Sequence, residues 1–393
     1  MNITFVVSNI NTHSKGNGGH YYSMLSTAEA LSKNHKVQII NIGTDESLAL
    51  RNTNFEIINI ISEKLNDFIL IYHLNKYVKR HPTDVIHAFD QLGYFYARIV
   101  SVLRRIPLVL TKCGGVNPRY FPYSQDLINF SQENMQFFQS LRKFRKTKIS
   151  LIPNRINPFP SDLQRIEALE QKHDLAQYDY VFLRIGRIGS YYQSSLLQLV
   201  KTVSLTNQRG VNACALLIGA VENQDVLQLI KEEGLQANLK IESDQKFTRN
   251  AKELIDVADV VQGVGRSFQE AALKNKLMLA PLKNSPLPVL VNEKNFMHLL
   301  KTNFSERGEI PGQETSHLID NLLDILYSKQ ETENYLQKVI PLFQDSFNIE
   351  TKVTAYEEIY KNKKFQLNNN FVDSVLNYLF VRRKFHQRRN SNK

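Results

Sequence analysis

The sequence predicts an α/β protein built from two domains in tandem, each a parallel sheet covered by helices. Its 393 residues exceed what one ordinary core accommodates. Short β-branched runs alternate with stretches of helical periodicity on both sides of Pro153–Ser161. Three prolines within that segment exclude a continuous helix or central strand. The segment therefore marks the boundary between two similar halves.

The first half contains strands that enclose a helix over His20–Asn34. In this helix Met24, Leu25, Ala28 and Leu31 recur at helical spacing, which predicts a face packed on a sheet. The expected strands are Ile3–Ser8, Lys36–Ile42, Phe55–Ile61, Asp84–Ala88, Leu108–Cys113, Leu127–Phe130 and Lys148–Ile152.

The second half repeats the alternation independently of the first. Its expected elements are a strand over 180–186, a helix over Gln193–Asn207, a strand over 213–219, a helix over Val226–Glu233, a strand over 239–243, a helix over Ala251–Val257, a strand over 259–263, a helix at Ser267 and a strand over 277–281.

The composition is typical of a soluble globular protein, with 42% hydrophobic and 22% charged residues. The two cysteines, Cys113 and Cys214, are far apart, which argues against a disulfide scaffold or a thiolate metal site and fits a reducing compartment. The N-terminal residues read as a strand rather than a signal peptide, and no segment has the apolar length to cross a bilayer. A cytoplasmic location follows as an expectation.

The formal net charge of +11 is concentrated in the last residues. Lys361–Lys393 contains nine Lys or Arg residues and one acid, Asp373, which leaves +3 for the preceding 360 residues. The excess charge therefore belongs to a tail and not to the fold. Without a recognised motif or interleaved aromatic and basic residues, the sequence does not favour nucleic acid as a partner.

The tail is also amphipathic, since apolar residues fall near one helical face and cations follow directly. This arrangement suits the anionic inner face of the cytoplasmic membrane, and a solvated terminus is the open alternative. The apolar residues are Phe371, Val375, Leu376, Leu379 and Phe380, and the cations are Arg382, Arg383, Lys384, Arg388 and Arg389.

In an open parallel sheet, ligands bind outside the carboxyl ends of the strands. After the first strand, Gly18, Gly19 and His20 begin a helix, where glycine lets backbone approach a phosphate or sugar. A flexible turn is the alternative, because the order is neither a dinucleotide fingerprint nor a P-loop. After the fourth strand, His87 can act as a base or fill a structural position.

In the second half, Arg184 and Arg187 flank the end of a strand and Arg266 lies in a later loop. The planar guanidinium suits a diphosphate, with a surface ion pair as the alternative. No metal-ligand cluster and no Asp-x-Asp pair stands out, so cations and helix termini are expected to neutralise the diphosphate without Mg²⁺.

Ser267 and Glu270 have the Ser-x-x-Glu spacing of a helix capping box. The same helix start offers N–H groups and a positive dipole end to an anion. Both interpretations stay open on the spacing alone.

The order of these pieces resembles the retaining glycosyltransferases of family 4, over about residues 1–361. The pieces are GGHYYSMLSTAEALSKNHKVQII, DVIH, IPLVLTKCGG, DLINFS, ISLIPNRIN, RIGRI, ALLIG, DVADVVQGVGRSFQEAALKNK and FNIETKVTAYEEIY. The resemblance implies a GT-B fold of two facing Rossmann-like domains. It implies an N-terminal acceptor domain (1–155), a C-terminal donor domain (156–345), a returning helix (346–364) and the basic tail (365–393).

The resemblance also assigns residues. In the family's Glu-x7-Glu motif the second glutamate binds the ribose of the nucleotide sugar and matches Glu270, while the first contacts the transferred sugar and is replaced by Gln262. Of the arginine and lysine on the donor diphosphate, Arg187 matches and Gln193 replaces the lysine.

The resemblance implies a retaining, metal-independent hexosyltransferase that uses a nucleotide diphosphate sugar and needs no cofactor. Its acceptor would be a cell-surface polysaccharide or a lipid-linked glycan, entering near Gly18, Gly19, His20 and a catalytic His87, with Gln262 at the transferred sugar. Arg184, Arg187, Gln193, Arg266, Ser267 and Glu270 would hold the donor. The alternatives are a sugar-binding relative without catalysis, suggested by Gln262, Gln193 and Cys113, and a nucleotide-sugar epimerase of the same fold.

Overall fold

The computed structural model describes residues 1–10, 16, 18–51, 53–312, 314, 316–367 and 371–390. The chain forms two compact units. One comprises Met1–Asn157 and Ile349–Lys393, and the other comprises Pro158–Asn348. The chain thus passes from the first unit to the second inside the proline-rich segment and later returns to the first.

Thirteen strands are described. They are β1 (Asn2–Asn9), β2 (Lys36–Gly43), β3 (Ile57–Ile61), β4 (Val85–Ala88), β5 (Leu108–Lys112), β6 (Asp126–Asn129), β7 (Lys148–Leu151), β8 (Tyr180–Ile185), β9 (Ala213–Ile218), β10 (Lys240–Glu242), β11 (Val260–Gln262), β12 (Leu277–Ala280) and β13 (Val289–Leu290).

Fourteen α-helices are described. They are α1 (Gly19–Ser32), α2 (Asp67–Arg80), α3 (Gln91–Arg104), α4 (Gln132–Ser140), α5 (Leu163–His173), α6 (Gln193–Gln208), α7 (Gln224–Glu233), α8 (Gln245–Thr248), α9 (Arg266–Ala272), α10 (Glu293–Lys301), α11 (Ser316–Leu326), α12 (Lys329–Phe347), α13 (Val353–Lys361) and α14 (Phe371–Asn390). Residues Ala251–Val257, expected to be helical, form a 3₁₀ helix.

The first unit contains a seven-stranded parallel sheet in the order β3-β2-β1-β4-β5-β6-β7. Successive side chains of a strand face opposite sides, and both sides are apolar here. Phe5 and Val7 join the core with α1 and α13, whereas Val6 joins the core with α2 and α3. Helices on both faces therefore bury the central strands, as the near-continuous apolar runs predict.

The second unit contains a six-stranded sheet in the order β10-β9-β8-β11-β12-β13, parallel except for the antiparallel edge strand β13. Its core includes the stacked rings of Phe268 and Phe304, whose centroids are 3.9 Å apart. Phe343 and Phe347 of α12 pack edge-on against Phe268. The predicted fold class, two α/β domains with parallel sheets, is confirmed.

Within the part of the chain that the structure describes, no helix is long and apolar enough to cross a membrane. The tail forms α14, and Asp373 anchors it. The Asp373 carboxylate is 3% exposed, lies 3.1 Å from Arg98 Nη1 and 2.5 Å from Lys143 Nζ, and accepts a hydrogen bond from Tyr123 N. A buried carboxylate with two cations fixes the helix to the first unit.

Candidate functional site at the strand ends of the second unit

Arg184 and Gln262 lie side by side at the carboxyl ends of β8 and β11, which are neighbours in the sheet. Both side chains are buried. Arg184 Nη2 donates to Ser195 Oγ at 2.8 Å, and Gln262 Nε2 donates to Ser195 O at 2.6 Å. Ser195 is the third residue of α6, so the two side chains fix the first turn of that helix above the strand ends.

Arg184 is a buried charge. Burial lowers its pKa to about 10, and Glu306 opposes that effect, so the guanidinium stays protonated at neutral pH. The Glu306 Oε1 atom accepts from Ser195 N at 3.3 Å. Among the described residues, Arg184 Nε and Gln262 Oε1 have no hydrogen-bond partner. The start of α6 thus combines a fixed positive charge with unsatisfied buried polar atoms.

Arg187 differs from Arg184 in being half exposed. Its Nη1 donates to Glu222 Oε1 at 2.9 Å, and its Nη2 lies 3.4 Å from Tyr192 Oη. Gln193, the residue in place of the expected lysine, is the first residue of α6 and is partly buried. Arg184, Arg187 and Gln193 therefore gather around one helix start.

Of the two interpretations that the Ser267 and Glu270 spacing left open, the capping box is wrong. Helix α9 begins at Arg266 with Gly265 as N-cap, and Gly265 has a φ of 55° that favours glycine. Ser267 lies inside the helix, where its Oγ atom accepts a hydrogen bond from Val264 N and donates one to Val264 O, each at 3.2 Å. Glu270 Oε1 instead accepts from Arg266 Nε at 2.8 Å, so the carboxylate pairs within the helix.

Gly263 connects β11 to α9 and is required there by close packing. A Cβ atom on Gly263 would lie 2.2 Å from the Cα atom of Phe268. The glycine keeps α9 close to the strand end, and it thereby positions Arg266 and Glu270 at the same edge of the sheet as Gln262.

In the first unit, His87 is a buried structural residue and is not exposed to a ligand. It is fully buried, and its Nδ1 and Nε2 atoms each lie 2.6 Å from a hydroxyl, of Tyr360 and Thr111 respectively. Burial lowers the pKa of His87 to about 3, so the ring is neutral. With both nitrogens engaged and no exposed surface, this geometry argues against His87 as a base in contact with substrate.

The glycine segment starts α1, with Gly18 as N-cap and Gly19 as first residue. The His20 ring lies 4.1 Å from that of Tyr21. Residues 11–15 and 17, which belong to the expected acceptor loop, lie outside the described residues. The role of Gly18, Gly19 and His20 stays a prediction.

Cys113 directly follows β5, and since the sequence shows no base beside it that would activate a nucleophile, a small apolar residue is the expected role. Its thiol donates to Phe89 O at 3.4 Å, and burial raises its pKa. A protonated thiol is a poor nucleophile, which is consistent with that expectation.

Three residues at the start of α6 were not predicted, namely Tyr192, Ser195 and Glu306. Ser195 had a weak signal, because serine is common in first helical turns. Glu306 had none, since it contacts Ser195 from 111 residues away. Among the residues described, no group of three or more His, Cys, Asp or Glu side chains is arranged to hold a metal ion.

No family model matches the chain. A curated relative, the uncharacterized glycosyltransferase MJ1059 from Methanocaldococcus jannaschii, is 23% identical over an alignment of 255 residues that covers 61% of this chain and 62% of that protein. The chain thus matches less than two thirds of the length of this relative.

Solved structures match over more of the chain. HepE from Anabaena in complex with UDP is 16% identical, with 92% of this chain and 100% of that chain covered and a TM-score of 0.64. A glycosyltransferase from Rickettsia africae ESF-5 is 15% identical, with 92% of this chain and 97% of that chain covered and a TM-score of 0.66. At these identities the likeness shows the fold, which is that of the GT-B glycosyltransferases. The expected GT-B resemblance is confirmed at this level.

Proposed function

We propose that the protein transfers a sugar from a nucleotide diphosphate sugar and that the donor binds at the strand ends of the second unit. The buried charge of Arg184 below the start of α6 carries the proposal. HepE, which shares the fold, has been solved with UDP and with UDP and glucose. A permanently charged arginine beside the N–H groups of a helix start favours the diphosphate that leaves during transfer.

Different residues are proposed to bind the diphosphate and the ribose of the donor. Arg184 supplies positive potential from below, and the first turn of α6, beginning at Gln193, supplies N–H donors. Arg187 is exposed enough to exchange Glu222 for a phosphate oxygen. The Glu270 carboxylate accepts hydrogen bonds from the ribose hydroxyls, while Arg266 Nε holds that carboxylate in place.

The proposal extends to a retaining, metal-independent hexosyl transfer onto a cell-surface polysaccharide or lipid-linked glycan, on the cytoplasmic side of the membrane. The Gln262 side chain is poorly placed to contact the transferred sugar, since it is fully buried and its Nε2 atom donates to Ser195 O. That observation favours a second candidate, a sugar-binding relative without catalysis. Transfer of labelled sugar to a glycan acceptor distinguishes the two.

The donor assignment is tested by calorimetric titration with UDP-, GDP- and dTDP-sugars. We expect the sugars of one nucleotide to bind. Glu270→Ala should weaken that binding by about tenfold, because a charged hydrogen-bond acceptor is lost. Glu293→Ala, at the exposed start of α10, is the matched control and should bind as the unaltered protein does. If no nucleotide sugar binds, the donor assignment is wrong.

We further propose that the outer face of α14 rests on an anionic membrane. Val372, Val375, Leu376 and Leu379 are 40–67% exposed and recur at helical spacing, while Asp373 faces inward. The exposed side chain of Arg383 follows them along the helix. Such a face combines apolar contact with attraction to anionic headgroups.

The structure corrects part of the expected face. Phe380 turns inward, with its ring 5.2 Å from that of Tyr120. The side chains of Phe371, Lys384, Arg388 and Arg389 lie outside those that the structure describes, so their part in the tail prediction is open.

Substitution tests this surface better than deletion, because deletion of α14 would leave Arg98 without the Asp373 carboxylate. Serine at Val372, Val375, Leu376 and Leu379 should reduce sedimentation with phosphatidylglycerol vesicles by at least about tenfold. Leu235→Ser, at an 84% exposed leucine of the second unit, is the control. Equal sedimentation of both variants would refute membrane contact through this face.

A further inference from the structure

Glu306 occupies an unusual place at the start of α6. It is distant in sequence, yet its Oε1 atom accepts the N–H of Ser195 at 3.3 Å. The N-cap residue of α6, Tyr192, has no side chain that caps the helix. The first-turn N–H groups of a helix attract anions, and here a carboxylate from another segment is the anion that is present.

The buried side chain of Arg184 indicates that the start of α6 can hold more than one carboxylate oxygen. Arg184 reaches Ser195 Oγ with Nη2, and its guanidinium lies 5.7 Å from the centre of the Tyr192 ring. Arg184 is 2% exposed, and its Nε atom has no partner in the described part of the chain. A buried N–H of an arginine is costly to leave unpaired, so the arrangement is incomplete without a further acceptor.

Glu306 is itself only partly buried and contacts α6 through a flexible side chain. It lies in the segment that follows α10, where turns at Thr302–Ser305 and Ser305–Gly308 fix the backbone. Rotation of its side chain alone can therefore withdraw the carboxylate without movement of the fold.

We propose that Glu306 acts as an internal competitor at the start of α6, where it takes the position of a donor phosphate and must leave when the diphosphate binds. The proposal rests on the proposed function for the nature of the ligand. Two anions at one helix start repel each other, so Glu306 weakens diphosphate binding. Its carboxylate also offsets part of the Arg184 charge while no diphosphate is bound, which reduces capture of unrelated phosphates.

The test uses the full chain and inorganic pyrophosphate as the probe. Glu306→Gln keeps the shape and an acceptor but removes the charge, and it should bind pyrophosphate about tenfold more tightly than the unaltered protein. Glu309→Gln is the matched control, since Glu309 lies three residues away, is exposed and pairs with Lys283. The control should bind pyrophosphate as the unaltered protein does.

Adding Arg184→Met to Glu306→Gln should abolish the gain, which would locate the pyrophosphate at α6. Unchanged or weaker pyrophosphate binding by Glu306→Gln would overturn the inference. Should that variant fold poorly by circular dichroism, Glu306→Asp, which withdraws the carboxylate by one methylene, should show a smaller gain, and no gain would overturn the inference equally.

The outcomes also separate this inference from the proposed function. Tighter pyrophosphate binding without binding of any nucleotide sugar would support the competitor and reject the donor assignment. Equal binding of a UDP-sugar by the unaltered protein and by Glu306→Gln would support the donor assignment and reject the competitor.

Discussion

His87 and Arg184 are both buried basic side chains near the carboxyl end of a central strand, one in each unit. His87 has a hydroxyl on each ring nitrogen, and burial lowers its pKa to about 3, so it is neutral. Arg184 keeps its charge, and its Nε atom lacks a partner among the described atoms. Buried positions near the end of a central strand thus hold a fully hydrogen-bonded side chain in the first unit and a charged, partly unsatisfied side chain in the second.

Burial alone does not mark a functional residue. The informative property is whether the surrounding groups satisfy the buried side chain. By that criterion Arg184 is the stronger candidate for contact with a ligand, and His87 is packed as part of the core.

Arg184→Met should produce the largest effect on binding. Loss of a charge in a partly desolvated site should weaken UDP binding by about 100-fold, measured by calorimetry. Circular dichroism should show a retained fold, because methionine fills similar volume. Unchanged UDP affinity would place the diphosphate elsewhere and break the contrast with His87.

His87→Phe should affect stability and spare binding. The ring keeps its place beside Phe89 but leaves the hydroxyls of Tyr360 and Thr111 without a partner, at a cost of about 2–4 kcal/mol in urea unfolding. UDP affinity should stay the same. A loss of transfer in a folded variant would return His87 to the catalytic residues.

The same variant should change the pH dependence. The folded pKa of about 3 lies below the ordinary 6.5, so the unfolded state takes up the proton first. The His87 contribution is complete above pH 6.5 and is lost as pH falls toward 3, at up to about 1.4 kcal/mol per pH unit. The stability difference between the protein and His87→Phe should therefore shrink on acidification. A constant difference would contradict a neutral buried imidazole.

Arg187→Met should produce the smallest effect. Its exposed pair with Glu222 contributes little to stability, and an exposed cation near the diphosphate should change UDP affinity about threefold. A loss as large as that of Arg184→Met would show that direct contact from the exposed arginine outweighs the buried charge.

The sequence was sufficient for the two sheets because apolar alternation is a local property. It also located Arg184, Gln262 and Arg187, since strand ends can be read from the same alternation. It was not sufficient for the partners. His87 meets Tyr360 across 273 residues, and Glu306 meets Ser195 across 111, and no local pattern encodes such contacts.

The start of α9 shows a different limit. Ser267 and Glu270 had the spacing of a capping box, yet Gly265 took the N-cap position. The close approach of Gly263 to Phe268 shifts the helix start by two residues relative to the motif. Packing between the helix and the strand end therefore decided a feature that local spacing had suggested.

The return of residues 349–361 to the first unit sets an order of events on the ribosome. Tyr356, Ile359 and Tyr360 complete the core beside β1 and supply the second partner of His87. All of Pro158–Asn348 is synthesised before them, so the second unit is complete while the first still lacks part of its core. We expect a released chain truncated before Tyr356 to show a protease-resistant second unit and a sensitive first unit, which makes the earlier-synthesised half the one that depends on chaperones.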